Sequence, residues 1–360
     1  MKNTKVKAQQ SHPDAPPPWF EVGDNRLRLI REPTDRLSAL TDLLAAADKS
    51  LKLFFYMFED DGLGERILAL LIAACQRGVA VEMMVDSFGS NGTPQKFFDP
   101  FIEAGGKFAI FSPGFSTSYF VRNHQKMVIA DDRTALIGGF NIANEYFNLQ
   151  QPDSDGHPSD NSWEDLGLAI EGPEVANLAS YYRVLSNWVQ QRNGDMRSLR
   201  KMVRHWDPGE GQFRWLLGGP SNRISRWADN GATIGASRLL YGYLLKRRAR
   251  IFEYQPRRLH TKLVIVDDAV YIGSANFDLR SLFINVEMML RIDDAGFADH
   301  ARAVIDMLEE KGERITPELH RSRRTFLNRL RWTLSYFLVN TLDYRITRRF
   351  NFGSGNRPSE

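Results

Sequence analysis

One pattern occurs twice in this chain. Residues 122–141 read RNHQKMVIADDRTALIGGFN, and residues 258–277 read RLHTKLVIVDDAVYIGSANF. The first copy sets out His124, Lys126, Asp131 and Asn141; the second sets out His260, Lys262, Asp267 and Asn276 in nearly the same spacing. A long motif repeated at this distance implies two equivalent halves, each giving its copy the same local scaffold. The runs after each lysine, MVIA and LVIV, are apolar and mostly branched, so they read as buried strands. The Asp-containing turns that follow read as hairpins. Five residues separate Asp267 from Gly273 where six separate Asp131 from Gly138, which predicts a tighter second hairpin.

The surrounding sequence supports an α/β fold of two pseudo-symmetric halves with mixed sheets packed around one shared site. In the first half a helix (TDRLSALTDLLAAADKS) leads to a strand (LKLFFYMF), a helix ending at Gly78, a strand (VAVEMMVD), a further helix and the strand KFAIFS before His124. The second half is shorter. Between Trp227 and His260 only one helix and one strand fit, so counterparts of LKLFFYMF, the next helix and VAVEMMVD are missing. Losing core strands should expose apolar neighbours. The expected organisation is a disordered tail (1–22), a first half (23–192), a linker (193–210), a shortened second half (211–312) and a basic amphipathic segment (313–360). The stretch NLQQPDSDGHPSDNS reads as a loop, with His157 solvated.

In an extended strand, residues two apart share a face, so His124 and Lys126 point one way and Gln125 the other. An imidazole beside an ammonium in a partly buried place calls for an anion, and a phosphate group is the natural complement. Asn141 and Asn276 can donate amide hydrogens to it, while Gly138, Gly139, Gly273 and Ser274 let the backbone come close. Asn141, Asn276 and Ser274 are therefore the candidate phosphate binders. Histidine can attack phosphorus directly, but one histidine does not readily serve as nucleophile and as acid to the leaving oxygen in one step. Two copies resolve this: one imidazole attacks to give a phosphohistidine, and its mate moves the protons. Each imidazole also needs a carboxylate on its second nitrogen, and Asp165 (WEDLGL) and Glu287 (NVEMML) are the candidates. Asp131 and Asp267 end their strands, where either a turn role or a catalytic one is open.

A single cysteine, Cys75, excludes an internal disulfide, and there is no Cys/His zinc spacing. The start, MKNTKVKAQQSHPDAPPPWF, lacks the apolar core of a secretory signal, which predicts a cytoplasmic location. No apolar run is long enough to span a membrane. The net charge is only +3, yet Arg321, Arg323, Arg324, Arg329 and Arg331 precede a short apolar segment that Arg345, Arg348 and Arg349 follow. Trp332, Tyr336, Phe337 and Val339 fit an apolar face flanked by arginines, suited to anionic lipid. A helix docked on the domain with solvated charges is the alternative, and a nucleic-acid patch a third reading.

These residues closely resemble the phospholipase D superfamily, whose signature is His-x-Lys-x4-Asp-x6-Gly-Gly/Ser-x-Asn, and within it the bacterial cardiolipin synthases. The strings that carry the likeness are GGFNIANEY, WEDLGLAIEGPEV, GGPSNR, IFEYQPRRLHTK and GSANFDLRSLFINVE. The resemblance implies a phospholipase D-like fold and phosphatidyl transfer without metal or other cofactor. It implies His124 as nucleophile, His260 as general acid and base, and Lys126, Lys262, Asn141 and Asn276 as the phosphate grip. It also implies phosphatidylglycerol as donor, a lipid headgroup hydroxyl as acceptor, and action on the cytoplasmic side of the membrane as a peripheral protein, with no nucleic-acid partner. Hydrolysis of a phosphodiester, or lipid binding without catalysis, are the alternative outcomes of the same site.

Overall fold

The first copy of the repeat lies in the middle of an eight-stranded sheet; the second lies at the edge of a four-stranded one. The computed structural model describes residues 17–112, 121–149, 162–191, 196–218, 231–276 and 285–337. Residues 1–16, His157 and Val339 lie outside them.

The first half runs β1 (Phe20–Val22), β2 (Asn25–Ile30), α1 (Pro33–Ala46), β3 (Ser50–Phe55), α2 (Gly62–Gln76), β4 (Ala80–Asp86), α3 (Asp99–Glu103), β5 (Lys107–Phe111), β6 (Lys126–Ala130), β7 (Thr134–Gly138), β8 (Trp163–Glu164), β9 (Gly167–Glu171) and α4 (Glu174–Gln190). Then come α5 (Met196–His205), β10 (Phe213–Gly218), α6 (Gly231–Lys246), β11 (Phe252–Tyr254), β12 (Arg258–Leu259), β13 (Leu263–Val266), β14 (Ala269–Gly273), β15 (Glu287–Asp293), α7 (Ala295–Glu310), β16 (Gly312–Arg314), α8 (Pro317–Arg323) and α9 (Phe326–Phe337). Local chemistry sets several ends: Asp61 caps α2 by accepting from the amides of Leu63 and Gly64, and Asp294 caps α7 through Phe297. Gly78 closes α2 at a φ of 88°, in the left-handed region that suits glycine.

The large sheet has the order β1-β2-β9-β7-β6-β3-β4-β5 and the small one β10-β15-β14-β13. The four strands β2, β9, β7 and β6 correspond one to one with β10, β15, β14 and β13, all paired antiparallel. Beyond β6 the first sheet continues through β3, β4 and β5; beyond β13 no counterpart occurs among the described residues. β6 is buried throughout, whereas Val266 of β13 is 53% exposed. That is the exposure the short second half predicts. β11 does not extend the small sheet; it pairs with β16 in a separate ribbon.

The missing hairpin residue is absorbed entirely at the turn. Ala130 pairs with Thr134 across three residues, and Val266 with Ala269 across two. At the other end, Met127 pairs with Ile137 and Leu263 with Ile272, so Gly138 and Gly273 leave their strands at equivalent heights.

One face of the large sheet buries Leu53, Val85 and Val128 against α1, α2 and α3. The other face joins α4 and the small sheet in one shared core holding Phe54, Ile129, Tyr181, Trp215 and Leu290. Burial of apolar surface therefore welds the two halves together, at roughly 25 cal/mol per Å² removed from water.

Three expectations change at the boundaries. β1 lies inside the expected tail 1–22, because Phe20–Val22 finds a pairing partner in β2. The expected linker 193–210 contains α5, which docks on α4 through a bond from Trp188 Nε1 to Ser198 Oγ (2.8 Å) and through buried Leu199. In the basic segment Trp332 faces inward, stacked on His320 with ring centroids 5.7 Å apart. Among the described residues no helix is long and apolar enough to cross a membrane.

Candidate active site

Both motif histidines stand immediately before their strands, and each is fastened by its backbone to the opposite half. The His124 amide donates to Val286 O at 2.8 Å, and the Val286 amide donates to Arg122 O at 2.8 Å. The His260 amide donates to Glu164 O, also at 2.8 Å, where β12 pairs in parallel with β8. The residues that follow these two acceptors are Glu287 and Asp165. Each carboxylate is thereby delivered to the imidazole of the other half: Asp165 Oδ2 lies 2.7 Å from His260 Nδ1, and Glu287 Oε1 lies 3.3 Å from His124 Nδ1. The His124 Nδ1 is also 3.2 Å from Ser274 O. The two imidazole centroids are 6.4 Å apart with planes at 78°. The doubled motif makes one site.

Burial together with the neighbouring ammonium of Lys262 pushes His260 down to about 4. Burial and Lys126 likewise lower His124. Burial would raise the Asp165 carboxylate, but His260, Lys262 and Arg36 hold it below the usual range. The same contest at Glu287 is won by His124, Lys126 and Ser274. Near neutral pH the site therefore holds ionised carboxylates and neutral imidazoles. A carboxylate only accepts, so Nδ1 of each ring carries the hydrogen and Nε2 carries the lone pair.

The lysines repeat the symmetry. Lys126 Nζ donates to His124 O and Lys262 Nζ to His260 O, both at 2.6 Å, and both are buried. Each ammonium also acts on a carboxylate of the site, Lys126 on Glu287 and Lys262 on Asp165. Gln125, just ahead of β6, donates to the Tyr181 hydroxyl at 2.8 Å. Gly139 is small by necessity: a Cβ there would lie 2.6 Å from Asp165 Oδ1.

Not every expected residue reaches the site. Asp131 does not: its carboxylate accepts from the amides of Asp48 (3.0 Å), Lys49 (2.7 Å) and Ser50 (2.8 Å), at the far end of β6 from Lys126. At about 3.3 Å per residue, five strand residues carry it roughly 16 Å away. Asp267 is a turn residue with φ 49°, at the corresponding end of β13, and its carbonyl accepts from Arg302. Both acids are structural because their turns need left-handed residues, which Asp tolerates. Ser274 is near the site but not as expected. Its hydroxyl donates its hydrogen to Glu287 Oε2 at 2.6 Å, so it positions a carboxylate rather than a phosphate. Asn141 is buried, donating to the Tyr146 hydroxyl (3.0 Å) and accepting from the Met57 amide (3.3 Å). Asn276 is half-buried beyond the end of β14.

Several contributors have no spacing rule that would find them. Arg36, fully buried on α1, donates to Asp165 O and Tyr146 O at 2.6 Å each. Asp86, at the end of β4, accepts from the Asn123 amide at 2.7 Å and fixes the approach to His124. Tyr56 packs edge-on to His124 at 4.8 Å, and Trp163 to His260 at 5.2 Å. Their only sequence signal is an aromatic at a strand end.

Residues 40–152 and 210–308 match the family described as "Cardiolipin synthase, PLD-like domain". Among curated proteins the chain is 26% identical to cardiolipin synthase A of Pseudomonas aeruginosa, over 84% of this chain and 71% of that one. It is 27% identical to cardiolipin synthase B of Salmonella typhi, over 78% of each. Among solved structures, the phosphatidylserine synthase of Haemophilus influenzae superposes with a TM-score of 0.63 at 12% identity, covering 90% of this chain and 95% of that one. At that identity the likeness speaks for the fold, which is phospholipase D-like.

Proposed function

The chain belongs to the phospholipase D-like cardiolipin synthase family, and on that footing we propose that it is a phosphatidyltransferase working through a phosphohistidine at a membrane surface. Phosphatidylglycerol is the proposed donor and the headgroup hydroxyl of a second phospholipid the acceptor, giving cardiolipin and glycerol. The observation that carries this reading is the facing pair of imidazoles, 6.4 Å apart, each with Nδ1 committed to a carboxylate of the opposite half. Two Nε2 atoms are thus left for one phosphorus.

Once the phosphodiester is bound, His260 takes a proton from solvent at Nε2. In the first step His124 Nε2 attacks phosphorus, the bond from phosphorus to the glycerol oxygen breaks, and His260 Nε2 gives that oxygen the proton. In the second, neutral His260 takes the proton of the incoming hydroxyl as its oxygen attacks phosphorus and releases His124. The shorter ion-pair geometry at His260, 2.7 Å against 3.3 Å at His124, suits His260 to the charged, proton-carrying role. A bound phosphodiester anion adds negative charge beside the imidazoles, which raises His260 towards the range where it can carry a proton.

The test is phosphatidylglycerol vesicles given to wild type, His124→Ala and His260→Ala. Wild type should make cardiolipin and glycerol, and each variant should lose nearly all of it. An alkali-stable, acid-labile lipid adduct on the protein should require His124. Wild type yielding neither product would overturn the reading; phosphatidic acid and glycerol without cardiolipin would replace transfer by hydrolysis.

A further inference from the structure

The outer face of α9 exposes a row of large apolar side chains. Phe326 is 80% exposed, Leu327 75%, Leu330 57% and Leu334 54%, with Phe337 at 45%. At about 100° per residue these five side chains gather on one side of the helix. Trp332 and Ser335, both buried, lie on the opposite side, where α9 packs against the protein and α6. Arg329 falls on one flank of the apolar stripe and Arg331 on the other, both exposed. From Arg324 to Phe337 there is no acidic residue. Beside it, α6 carries exposed Leu240 and Tyr243, with the Arg247 guanidinium 3.5 Å above the Tyr243 ring.

We propose that this apolar stripe is the surface by which the protein docks on a bilayer of anionic lipid, the leucines and phenylalanines entering the acyl region and Arg329 and Arg331 lying among the headgroup phosphates. A single stripe with cations on both flanks and no acids fits a phosphate-rimmed apolar medium. The proposal rests on the membrane-surface reading above for its choice of partner, and it replaces Trp332 with Phe326, Leu327, Leu330 and Leu334 as the inserting residues.

Flotation of the full chain with phosphatidylcholine vesicles, with and without about 30 mol% phosphatidylglycerol, tests it. Wild type should float with the anionic vesicles. Leu327→Glu combined with Leu330→Glu should weaken that binding at least about tenfold, since two buried leucines are lost to the lipid. The same variant should keep its melting temperature and its turnover of a monomeric short-chain phosphodiester, because both side chains are more exposed than buried. Arg329→Gln with Arg331→Gln should lower binding to anionic vesicles by about fivefold per arginine and leave binding to neutral vesicles unchanged. Unchanged flotation of the double-glutamate variant would overturn the proposal. So would a wild-type dimer that this variant splits while vesicle binding persists, since the stripe would then serve a second copy of the chain. Vesicle binding lost with the stripe in a protein that makes no cardiolipin would retain the docking surface and remove only the catalytic reading.

Discussion

Asp165 belongs to the first half of the chain, and its carboxylate holds the imidazole of His260, in the second half, at 2.7 Å. The reverse pairing, Glu287 on His124, completes the crossing. This explains how a shortened second sheet keeps its site. His260 is fastened by Glu164 O and Asp165, both supplied by the first half.

Asp165→Asn and Glu287→Gln should each lower kcat by about 10²-fold or more while changing KM little, because each amide disturbs the tautomer and the charge of an imidazole without touching substrate. Steady-state kinetics on vesicles checks this. The larger loss is expected for Asp165→Asn, whose contact is the shorter.

Ser274→Ala separates two roles. If the hydroxyl positions Glu287, as its 2.6 Å bond indicates, kcat should fall by about tenfold with KM nearly constant. A rise in KM with kcat unchanged would return Ser274 to phosphate binding.

Gly139→Ala should be among the most damaging small substitutions. Its Cβ would meet the Asp165 carboxylate at 2.6 Å and Lys262 Cδ at 3.0 Å, pressing on the charged centre from both sides. Activity should fall to a few per cent or less, with a stability loss of about 1–3 kcal/mol in a denaturant melt.

For Asp131→Ala the expected outcome is lost stability with catalysis intact. Removing an acceptor of three backbone amides should cost about 1–3 kcal/mol. Burial opposes, but the amides of Asp48, Ser50 and Lys49 hold this carboxylate below its ordinary value. Its contribution is therefore present above the unfolded value near 4 and lost as the pH falls through the folded one. The difference between variant and wild-type melts should shrink in acid, and kcat per folded molecule should stay within about twofold of wild type.

The pH profiles of kcat and kcat/KM should differ in their alkaline limbs. Free His260 sits near 4 through burial and Lys262, so it is neutral in the free protein at pH 7. A bound phosphodiester raises it, and the alkaline limb of kcat should lie at higher pH than that of kcat/KM. Coincident limbs would show that substrate leaves His260 unshifted. For stability the sign is the depressed one: the neutral imidazole favours the fold above the unfolded value near 6.5, and that contribution is lost as the pH falls towards 4.

The repeat made much of this legible in advance. His124, Lys126, His260 and Lys262 could be found because strand geometry forces residues two apart onto one face, and because a phosphate needs cations and two proton carriers. Asp165 and Glu287 could be named as acids but not assigned, since nothing local says that each serves the opposite half. Asp131 and Asp267 read as part of the same motif, yet hydrogen bonding at strand ends claims them for turns. Nothing local in the sequence marks Arg36, whose guanidinium is buried against the carbonyls of Asp165 and Tyr146.

The doubled plan, the histidine–lysine pairs and the basic end of the chain are readable in the sequence, because periodicity and spacing are local properties. Packing settled the rest. It crossed the carboxylates between halves, turned Ser274 to Glu287, and put Trp332 inside α9 while leaving Phe326 and Leu330 outside. Those choices depend on which surfaces pack together, and packing between residues distant in the chain is not written in any one stretch of it.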